Sequence, residues 1–268
     1  MGLDELLALA EDAAKKANAA IMQNYDKFDV FIKADRSPLT NADLAANDAI
    51  MRTLEPSGIA ICSEECVLDS KRRMSEERFW LIDPLDGTKE FIARNGEFCV
   101  CIALIEDGRP ILGVIYVPVT GEIYSAAKGR RTQKELYKNG AFIPQILATR
   151  ARAAQTIISG KRGKNVTADK LAAALNLNIA RLSSAIKYCR IAENLAGAYM
   201  RYSPSSIWDN AAGEMIAAGT GAKMIDLATL KAPIYDAASL KNNEFIVIAK
   251  DFLAREDEIL RAIRELNL

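Results

Sequence analysis

The spacing of hydrophobic residues predicts helices and a short strand at the start of the chain. Leucine and alanine recur every three or four positions from residue 3 onward, which is typical of an amphipathic helix that ends near Tyr25. Residues 29–33 alternate weakly between polar and apolar side chains and favour a strand. A second helix is predicted over Asn41–Leu54, because Thr40 and Asp43 are close to a capping box at its start.

Apolar runs in the centre of the chain predict a sheet. The predicted strands cover residues 58–63, 79–82, 97–105, 111–117 and 122–127. The last three follow one another through short turns, which indicates an antiparallel arrangement. The next segment, residues 129–140, is strongly basic and is interpreted as a solvated loop or as a rim that attracts phosphate.

From about residue 150 the pattern changes to an alternation of strands and helices. Strands are predicted over residues 156–159, 179–182, 198–202 and 245–249, and helices over residues 168–175, 186–195 and 254–266. We therefore expect two subdomains. Residues 1–150 would form a helix and an antiparallel sheet, and residues 151–268 an α/β unit with a second, mixed sheet.

The composition excludes several classes of protein. The 268 residues carry a formal net charge of +0, which argues against a nucleic-acid polymer as partner. There is no histidine, so Ser-His-Asp and Cys-His mechanisms are excluded. The five cysteines form no C-x-x-C pair, which disfavours a structural zinc site or a disulfide framework and indicates the reducing cytoplasm. We find no signal peptide and no run of the ~18 apolar residues that span a membrane.

The most informative stretch is a buried strand followed directly by two aspartates. Asp83 and Asp86 are expected on a strand-to-helix turn, because Pro84 ends the strand. Gly87 permits a tight bend before a helix that starts at Thr88. Two neighbouring carboxylates repel each other, and a hard cation such as Mg²⁺ would relieve the repulsion. An Asx-type turn with solvated aspartates is the alternative for this motif alone. The D-x-D-G-T motif of haloacid-dehalogenase phosphatases is excluded, because the two aspartates lie three positions apart with proline between them.

Several segments resemble the inositol monophosphatase superfamily. Residues 83–88, D-P-L-D-G-T, resemble its first signature, and residues 207–216, I-W-D-N-A-A-G-E-M-I, resemble its second. Residues 63–65, S-E-E, match a further segment in the expected order, and K-E-F at 89–91 resembles the branch acting on 3′(2′),5′-bisphosphate nucleotides. The resemblance covers essentially the whole chain. It implies an α/β class fold, a layered αβαβα sandwich, and a lithium-sensitive, Mg²⁺-dependent phosphatase.

The resemblance also implies roles for individual residues. The expected metal ligands share an oxygen donor and are Glu64, Asp83, the Leu85 carbonyl, Asp86 and Asp209. The four negative charges of their carboxylates would balance two Mg²⁺ ions. The resemblance implies that two or three Mg²⁺ ions bind. The expected catalytic residues lie near the attacking water and are Asp43, Glu65 and Thr88. Asp209 has an alternative explanation as the N-cap of the helix that follows it.

The expected substrate contacts come from the same segments and from the second half of the chain. They are Glu64, Gly87, Thr88, Lys89, Ser184, Lys187, Arg201 and Asp209. The amides at the start of the helix would hold one phosphate. The side chains of Lys89, Lys187 and Arg201 would contact a second phosphate, which favours 3′-phosphoadenosine 5′-phosphate hydrolysed to AMP by direct attack of a metal-activated water.

Two other functions remain open from the sequence. The chain could hydrolyse an inositol monophosphate, or it could be a phosphatase-fold binding protein without turnover. Intact metal carboxylates argue against the binding protein, because a cluster of like charges has a cost in stability. A monomer and a homodimer are both expected states, and peripheral association with the inner membrane is left open beside a cytoplasmic location.

Overall fold

The computed structural model describes residues 1–147, 153–161, 166–236 and 238–266. The N-terminal half contains, in chain order, α1 (Leu3–Gln23), β1 (Val30–Ile32), β2 (Pro38–Thr40), α2 (Asn41–Leu54), β3 (Ala60–Ser63), α3 (Ser70–Ser75), β4 (Arg78–Asp86), α4 (Thr88–Ile92), β5 (Cys99–Glu106), β6 (Arg109–Val117), β7 (Glu122–Ala127), β8 (Gln133–Lys138) and β9 (Ala141–Pro144). The C-terminal half contains β10 (Thr156–Ser159), α5 (Val166–Ala174), β11 (Asn178–Arg181), α6 (Ile186–Ala192), β12 (Ala198–Arg201), β13 (Ser205–Ser206), α7 (Ala211–Ala218), β14 (Lys223–Asp226), β15 (Lys241–Asn242), β16 (Phe245–Ile248) and α8 (Glu256–Glu265).

The larger sheet has the strand order β3-β4-β5-β6-β7-β8-β9. The β3 and β4 strands are parallel, and each later pair is antiparallel. The antiparallel sheet predicted for the N-terminal half is therefore confirmed, apart from its first pair. That exception matters for the site, because the carboxyl ends of β3 and β4 lie at the same edge of the sheet.

The smaller sheet has the strand order β11-β10-β12-β16-β14. The β10 strand is parallel to both of its neighbours, whereas β16 is antiparallel to β12 and to β14. This arrangement confirms the mixed sheet predicted for the C-terminal half. The β14 strand was not expected from the sequence.

The first helix packs through a stripe of small and apolar residues. Its buried side chains are Leu6, Ala10, Ala13, Ala14, Ala17 and Ile21. They follow the spacing of three and four that predicts the helix, and the alanines allow α1 to lie close to α2 and to the larger sheet. Along the described residues, no helix combines the length and the apolar character needed to cross a membrane.

Two hydrophobic cores lie on opposite faces of the larger sheet. Trp80 and Ile82 of β4 face the core shared with α1 and α2, whereas Phe79 and Leu81 face the core shared with α6, α7 and the smaller sheet. Each fully buried side chain of this size contributes about 1.5–3 kcal/mol relative to an exposed one. The α5 and α8 helices cover the other side of the smaller sheet. The predicted layered αβαβα sandwich is thereby confirmed.

The second core draws on both halves of the chain. Phe79 and Tyr124 from the first half pack in the same cluster as Ile157 and Tyr199 from the second half. The division into residues 1–150 and 151–268 stays a prediction, and its boundary at residue 150 lies outside the described residues.

The prediction of a loop over residues 129–140 is wrong. The strands β8 and β9 form a hairpin there, joined by Asn139 and Gly140, whose φ angles are 53° and 82°. Asn-Gly is a strong sequence signal for such a turn. The basic side chains remain compatible with a strand because one face of the hairpin is partly exposed, and Lys134 forms ion pairs with Glu122 and Glu193.

Candidate active site

The two central aspartates belong to the last residues of β4, where the sheet pairing is interrupted. The β4 strand pairs with β5 up to Asp83 and again at Asp86, with a shift of register between them. The strand therefore continues through Pro84, contrary to the prediction that Pro84 ends it. The missing N–H of Pro84 falls within the irregular segment, where no ladder hydrogen bond is required of it. The Leu85 N–H donates a 3.0 Å hydrogen bond to Asp83 Oδ1 and holds that carboxylate.

Glycine is required at position 87. Gly87 has φ 102°, which other residues adopt only with strain. A Cβ at this position would lie 3.0 Å from the carbonyl oxygen of Glu97 and 3.2 Å from the Cα of Phe98. The α4 helix begins at the next residue, Thr88, as the sequence predicts.

Three carboxylates converge where three chain segments meet. Glu64 follows β3, Asp83 lies in β4, and Asp209 ends a 3₁₀ turn, Ile207–Asp209, before α7. One oxygen of each carboxylate lies within 4.8 Å of the other two. Ser63 of β3 is paired with Ile82 of β4. The residues that follow them, Glu64 and Asp83, therefore lie at the same edge of the sheet. The structure thus brings together three of the four predicted carboxylate ligands.

Burial and mutual repulsion raise the pKa values of the clustered carboxyl groups. Burial raises the pKa of Asp83 well above its ordinary value, and the charges of Glu64 and Asp86 add to the shift. Burial, followed by the charges of Asp86 and Glu64, raises the pKa of Asp209 to about 8. The pKa of Asp86 is also raised by burial, against the opposing charge of Lys187. A cation bound among these groups would remove the repulsion that causes part of these shifts.

The donor atoms of the cluster suit a hard divalent cation. The three converging groups offer carboxylate oxygens, which Mg²⁺ prefers over nitrogen or sulfur. Asp86 and Leu85 line the same cavity as Glu64, Asp83 and Asp209. The five predicted ligands therefore line one cavity, and three of them converge within 4.8 Å.

A chain of hydrogen bonds links the start of α4 to the start of α2. The Thr88 hydroxyl donates to Asp43 Oδ1 over 2.9 Å, and the Thr40 N–H donates to Asp43 Oδ2 over 2.7 Å. Thr40 is the N-cap of α2 and forms the predicted capping box with Asp43. Burial raises the pKa of Asp43, although these hydrogen bonds act in the opposite direction. Asp43 itself lies behind Thr88, so it can orient the hydroxyl group that lines the cavity.

Lys33 is a functional candidate that the sequence reasoning missed. Its Nζ donates to Glu64 Oε1 and to Glu65 Oε1, each over 2.7 Å. Glu65 is thereby held beside the cluster, and burial raises its pKa despite the ion pair with Lys33. The sequence signal that could have revealed it is that Lys33 opens a polar stretch, K-A-D-R-S-P-L-T at residues 33–40, which leads directly into the capping box of α2.

The carboxylate cluster forms part of the wall of a cavity of about 510 Å³. A much smaller pocket, about 50 Å³, adjoins it and is lined by Asp86, Lys187, Arg201 and Asp209 among others. Gly87 and Ser184 also line the larger cavity. The segment 129–140 supplies none of the lining residues of either cavity, and its interpretation as a phosphate-attracting rim stays a prediction.

Basic side chains surround the larger cavity. Those predicted from the sequence are Lys89, Lys187 and Arg201, and all three line it. Lys187 is almost completely buried, and its Nζ donates to the Ser184 carbonyl oxygen. Two further lysines, Lys161 and Lys241, were missed. They lie after β10 and in the short strand β15, where the sequence shows no motif.

The start of α7 differs from the sequence expectation. The N-cap of α7 is Asn210 rather than Asp209, so capping does not explain the aspartate. The small residues of this segment serve close packing, since a Cβ on Gly213 would lie 2.2 Å from the ring of Tyr188. These residues belong to a helix that packs against α6 and the larger sheet.

The chain belongs to the inositol monophosphatase family, whose sequence profile matches residues 2–265. Members of this family are metal-dependent phosphatases, in agreement with the carboxylate cluster. The solved inositol monophosphatase of Anabaena superposes with a TM-score of 0.73 over 98% of this chain and 96% of its own, at 22% identity, which shows a shared fold.

Relatives of higher identity share one name. The 3′(2′),5′-bisphosphate nucleotidase CysQ of Escherichia coli strain K12 is 43% identical over 230 residues, which cover 84% of this chain and 90% of that protein. The crystal structure of CysQ from Bacteroides thetaiotaomicron has a TM-score of 0.82 and 34% identity, and the match covers 92% of this chain and 98% of that one.

Proposed function

We propose that the chain is a Mg²⁺-dependent phosphomonoesterase that removes the 3′-phosphate of 3′-phosphoadenosine 5′-phosphate and yields AMP. The observation that carries this proposal is the convergence of Glu64, Asp83 and Asp209 within 4.8 Å in the wall of a cavity that is otherwise rich in basic side chains. The names of the 43% and 34% identical relatives support the same activity.

The assignment of metal-binding residues is supported by the convergence of three carboxylates in the cavity wall. The ligands we assign are Glu64, Asp83, the Leu85 carbonyl, Asp86 and Asp209. Four carboxylates match the charge of two Mg²⁺ ions, which supports at least two per site. When bound, Mg²⁺ would lower the pKa of a water and neutralise charge on the phosphate.

The remaining groups act on the water and on the phosphate. The Thr88 hydroxyl, which donates to Asp43, orients the attacking water. Asp43 accepts the proton that Thr88 relays from this water. Glu65, held by Lys33, stands beside Glu64 and keeps that ligand in place. Gly87, with φ 102°, permits the turn that leads into α4, and the Gly87 and Thr88 amides at this helix start would hold the phosphate.

The basic side chains favour a substrate with two phosphates. Lys187 and Arg201 line both the small pocket and the larger cavity, while Lys89 lines only the larger one. Positive charge is therefore present in the walls of both the small pocket and the larger cavity. An inositol monophosphate would leave part of this charge without a partner, which is why we favour the bisphosphate nucleotide.

The five cysteines are free thiols, which supports a reducing compartment, the cytoplasm, as the location.

The products of the reaction test the proposal. The protein would be incubated with 3′-phosphoadenosine 5′-phosphate and Mg²⁺, and the nucleotide product identified by phosphorus NMR. We expect AMP together with inorganic phosphate. Formation of adenosine 3′-phosphate, or binding of the nucleotide with no phosphate released, would contradict the proposal, and the second result would identify a binding protein.

A further inference from the structure

Two cysteine thiols lie directly behind the carboxylate cluster. Cys99 and Cys101 point to the same side of β5, and their Sγ atoms are 3.8 Å apart. The Cys99 Sγ lies 3.9 Å from Asp86 Oδ2, because Asp86 is the residue paired with Cys99 across β4 and β5. The Sγ atoms and one Asp86 oxygen all lie within 4.8 Å of one another.

The separations of Cys99 Sγ from Cys101 Sγ and from Asp86 Oδ2 are close to those around a tetrahedral zinc ion. Zinc–sulfur bonds of about 2.3 Å and zinc–oxygen bonds of about 2.1 Å place two sulfurs about 3.8 Å apart and sulfur and oxygen about 3.6 Å apart. Thiolates select soft or borderline cations such as Zn²⁺, whereas an all-oxygen site selects Mg²⁺. Asp86 therefore stands between two sets of ligands of different chemistry.

We propose that Asp86, Cys99 and Cys101 form a binding site for a thiophilic divalent cation such as Zn²⁺, and that the bound ion inhibits the enzyme by withdrawing Asp86 from the Mg²⁺ centre. The site is distinct from the oxygen centre of Glu64, Asp83 and Asp209, which contains no sulfur. The inhibitory part of this inference rests on the proposed function, whereas the binding part does not.

The charges around the thiols are compatible with an ion there. Two thiolates and one carboxylate with Zn²⁺ leave a net charge of −1, and the thiol protons are released to solvent when the ion binds. The buried ammonium of Lys187 interacts with Asp86 and with Cys99 and would balance the remaining charge.

We expect an ion to reach the thiols from the substrate cavity. Asp86 lines that cavity, whereas Cys99 and Cys101 are 0% and 1% exposed. The ion would reach the sulfurs past the Asp86 carboxylate, so substrate and inhibitory ion would use the same entrance.

Binding is tested first, without reference to activity. The metal-free protein would be titrated with Cd²⁺ under reducing conditions, and the ultraviolet charge-transfer band of cadmium thiolates recorded. We expect one strongly bound Cd²⁺ per chain in the wild type and loss of the band in the double variant Cys99→Ala, Cys101→Ala. The control is Cys62→Ala, Cys66→Ala, which removes two thiols outside this site and should keep the band. Equal bands in the wild type and the Cys99→Ala, Cys101→Ala variant would overturn the site.

Inhibition is tested in the same proteins. Phosphate release in saturating Mg²⁺ would be titrated with Zn²⁺, and each protein compared with its own rate without Zn²⁺. We expect the Zn²⁺ concentration for half-inhibition to rise at least tenfold in the Cys99→Ala, Cys101→Ala variant and to stay unchanged in the control. An unchanged value in both variants would overturn the inhibitory role. A wild type that binds Cd²⁺ but releases no phosphate would refute the proposed function and leave the metal site standing.

Discussion

At the scale of single residues, the candidate site is a group of acids placed where each destabilises the others. Asp83 is buried, and its pKa is raised first by burial and then by the charge of Glu64. Buried carboxylates without compensation are costly, so a fold that retains them gains from a bound cation. The basic side chains that line the same cavity carry the opposite charge and do not belong to this acidic cluster.

The first prediction concerns Asp83. The change Asp83→Asn should abolish Mg²⁺-dependent phosphate release, because it removes a ligand charge while preserving shape. The same change should raise the melting temperature of the metal-free protein, because repulsion with Glu64 and Asp86 is reduced. Asp48→Asn, at an exposed ion pair on α2, is the control and should keep its activity. Turnover close to wild type for Asp83→Asn in saturating Mg²⁺ would refute the assignment.

The second prediction concerns Lys89, which is exposed on α4 and lines the cavity. If its ammonium contacts the second phosphate, Lys89→Thr should lower kcat/KM for the bisphosphate nucleotide more than kcat/KM for a nucleoside monophosphate. A lost charged contact of about 1–2 kcal/mol corresponds to a loss of roughly five- to thirtyfold in kcat/KM.

The measurement is kcat/KM for both substrates in the wild type and in Lys89→Thr, with the exposed Lys71→Thr as the control. Equal losses for the two substrates would show that Lys89 acts on the common reaction centre or on stability instead.

At the scale of elements, the local patterns were easier to predict than the way in which strands meet. The capping residues of α2 and the apolar runs of β5 to β7 are local signals, and their elements are close to those predicted. The parallel pairing of β3 with β4 is not local, because it depends on how two separated segments pack. The continuation of β4 through Pro84 was missed for the same reason, since the bulge that accommodates proline is visible only against β5.

The site residues also divide into those with a local sequence signal and those that only the fold brings together. Those within signature motifs, such as Asp83, Asp86 and Asp209, were identified from the sequence. Lys161 and Lys241 were missed because the fold alone brings them to the cavity. Cys99 and Cys101 fall within an apolar run that predicts a strand, which accounts for their burial but not for their distance from Asp86.

The third prediction tests the packing of α7 against α6. The change Gly213→Ala would place a Cβ 2.2 Å from the Tyr188 ring, so the two helices must separate. We expect a loss of about 1–3 kcal/mol in the free energy of unfolding, as for other overpacked cores. Gly160→Ala is the control, because a Cβ added at position 160 would have no atom within 4 Å. Denaturant unfolding of both variants gives the comparison, and an equal stability of Gly213→Ala and wild type would show that this contact does not set the distance between the helices.

At the scale of the whole molecule, the site lies where the two sheets and their helices come together. Glu64 and Asp83 come from the edge of the larger sheet, whereas Asp209 precedes a helix packed between the sheets. Bound metal would therefore link segments far apart in sequence and stabilise the folded state by mass action.

The fourth prediction is a pH dependence of the metal-free protein. The pKa of Asp209 is about 8 in the fold, against an ordinary value of 3.8, so the folded state binds its proton more tightly than the unfolded state. Stability should fall as pH rises from about 4 to about 8 and level off above that, because the folded state must then hold a charged, repelled carboxylate. The raised pKa values of Asp83 and Asp86 act in the same direction.

Melting temperatures measured across this range in EDTA and in Mg²⁺ would check the fourth prediction. Mg²⁺ should reduce the fall in melting temperature with rising pH, and Asp209→Asn should reduce the same fall in the absence of Mg²⁺. A melting temperature that rises from pH 5 to pH 8 in EDTA would contradict the electrostatic account of the cluster.

The most direct measurement is a parallel assay of phosphate release from 3′-phosphoadenosine 5′-phosphate and from inositol 1-phosphate, each in Mg²⁺ and in EDTA. The account predicts release from the nucleotide in Mg²⁺ at a kcat/KM at least tenfold above that for inositol 1-phosphate, and none from either substrate in EDTA. Undiminished release in EDTA would contradict the metal centre, and preference for inositol 1-phosphate would contradict the assigned substrate.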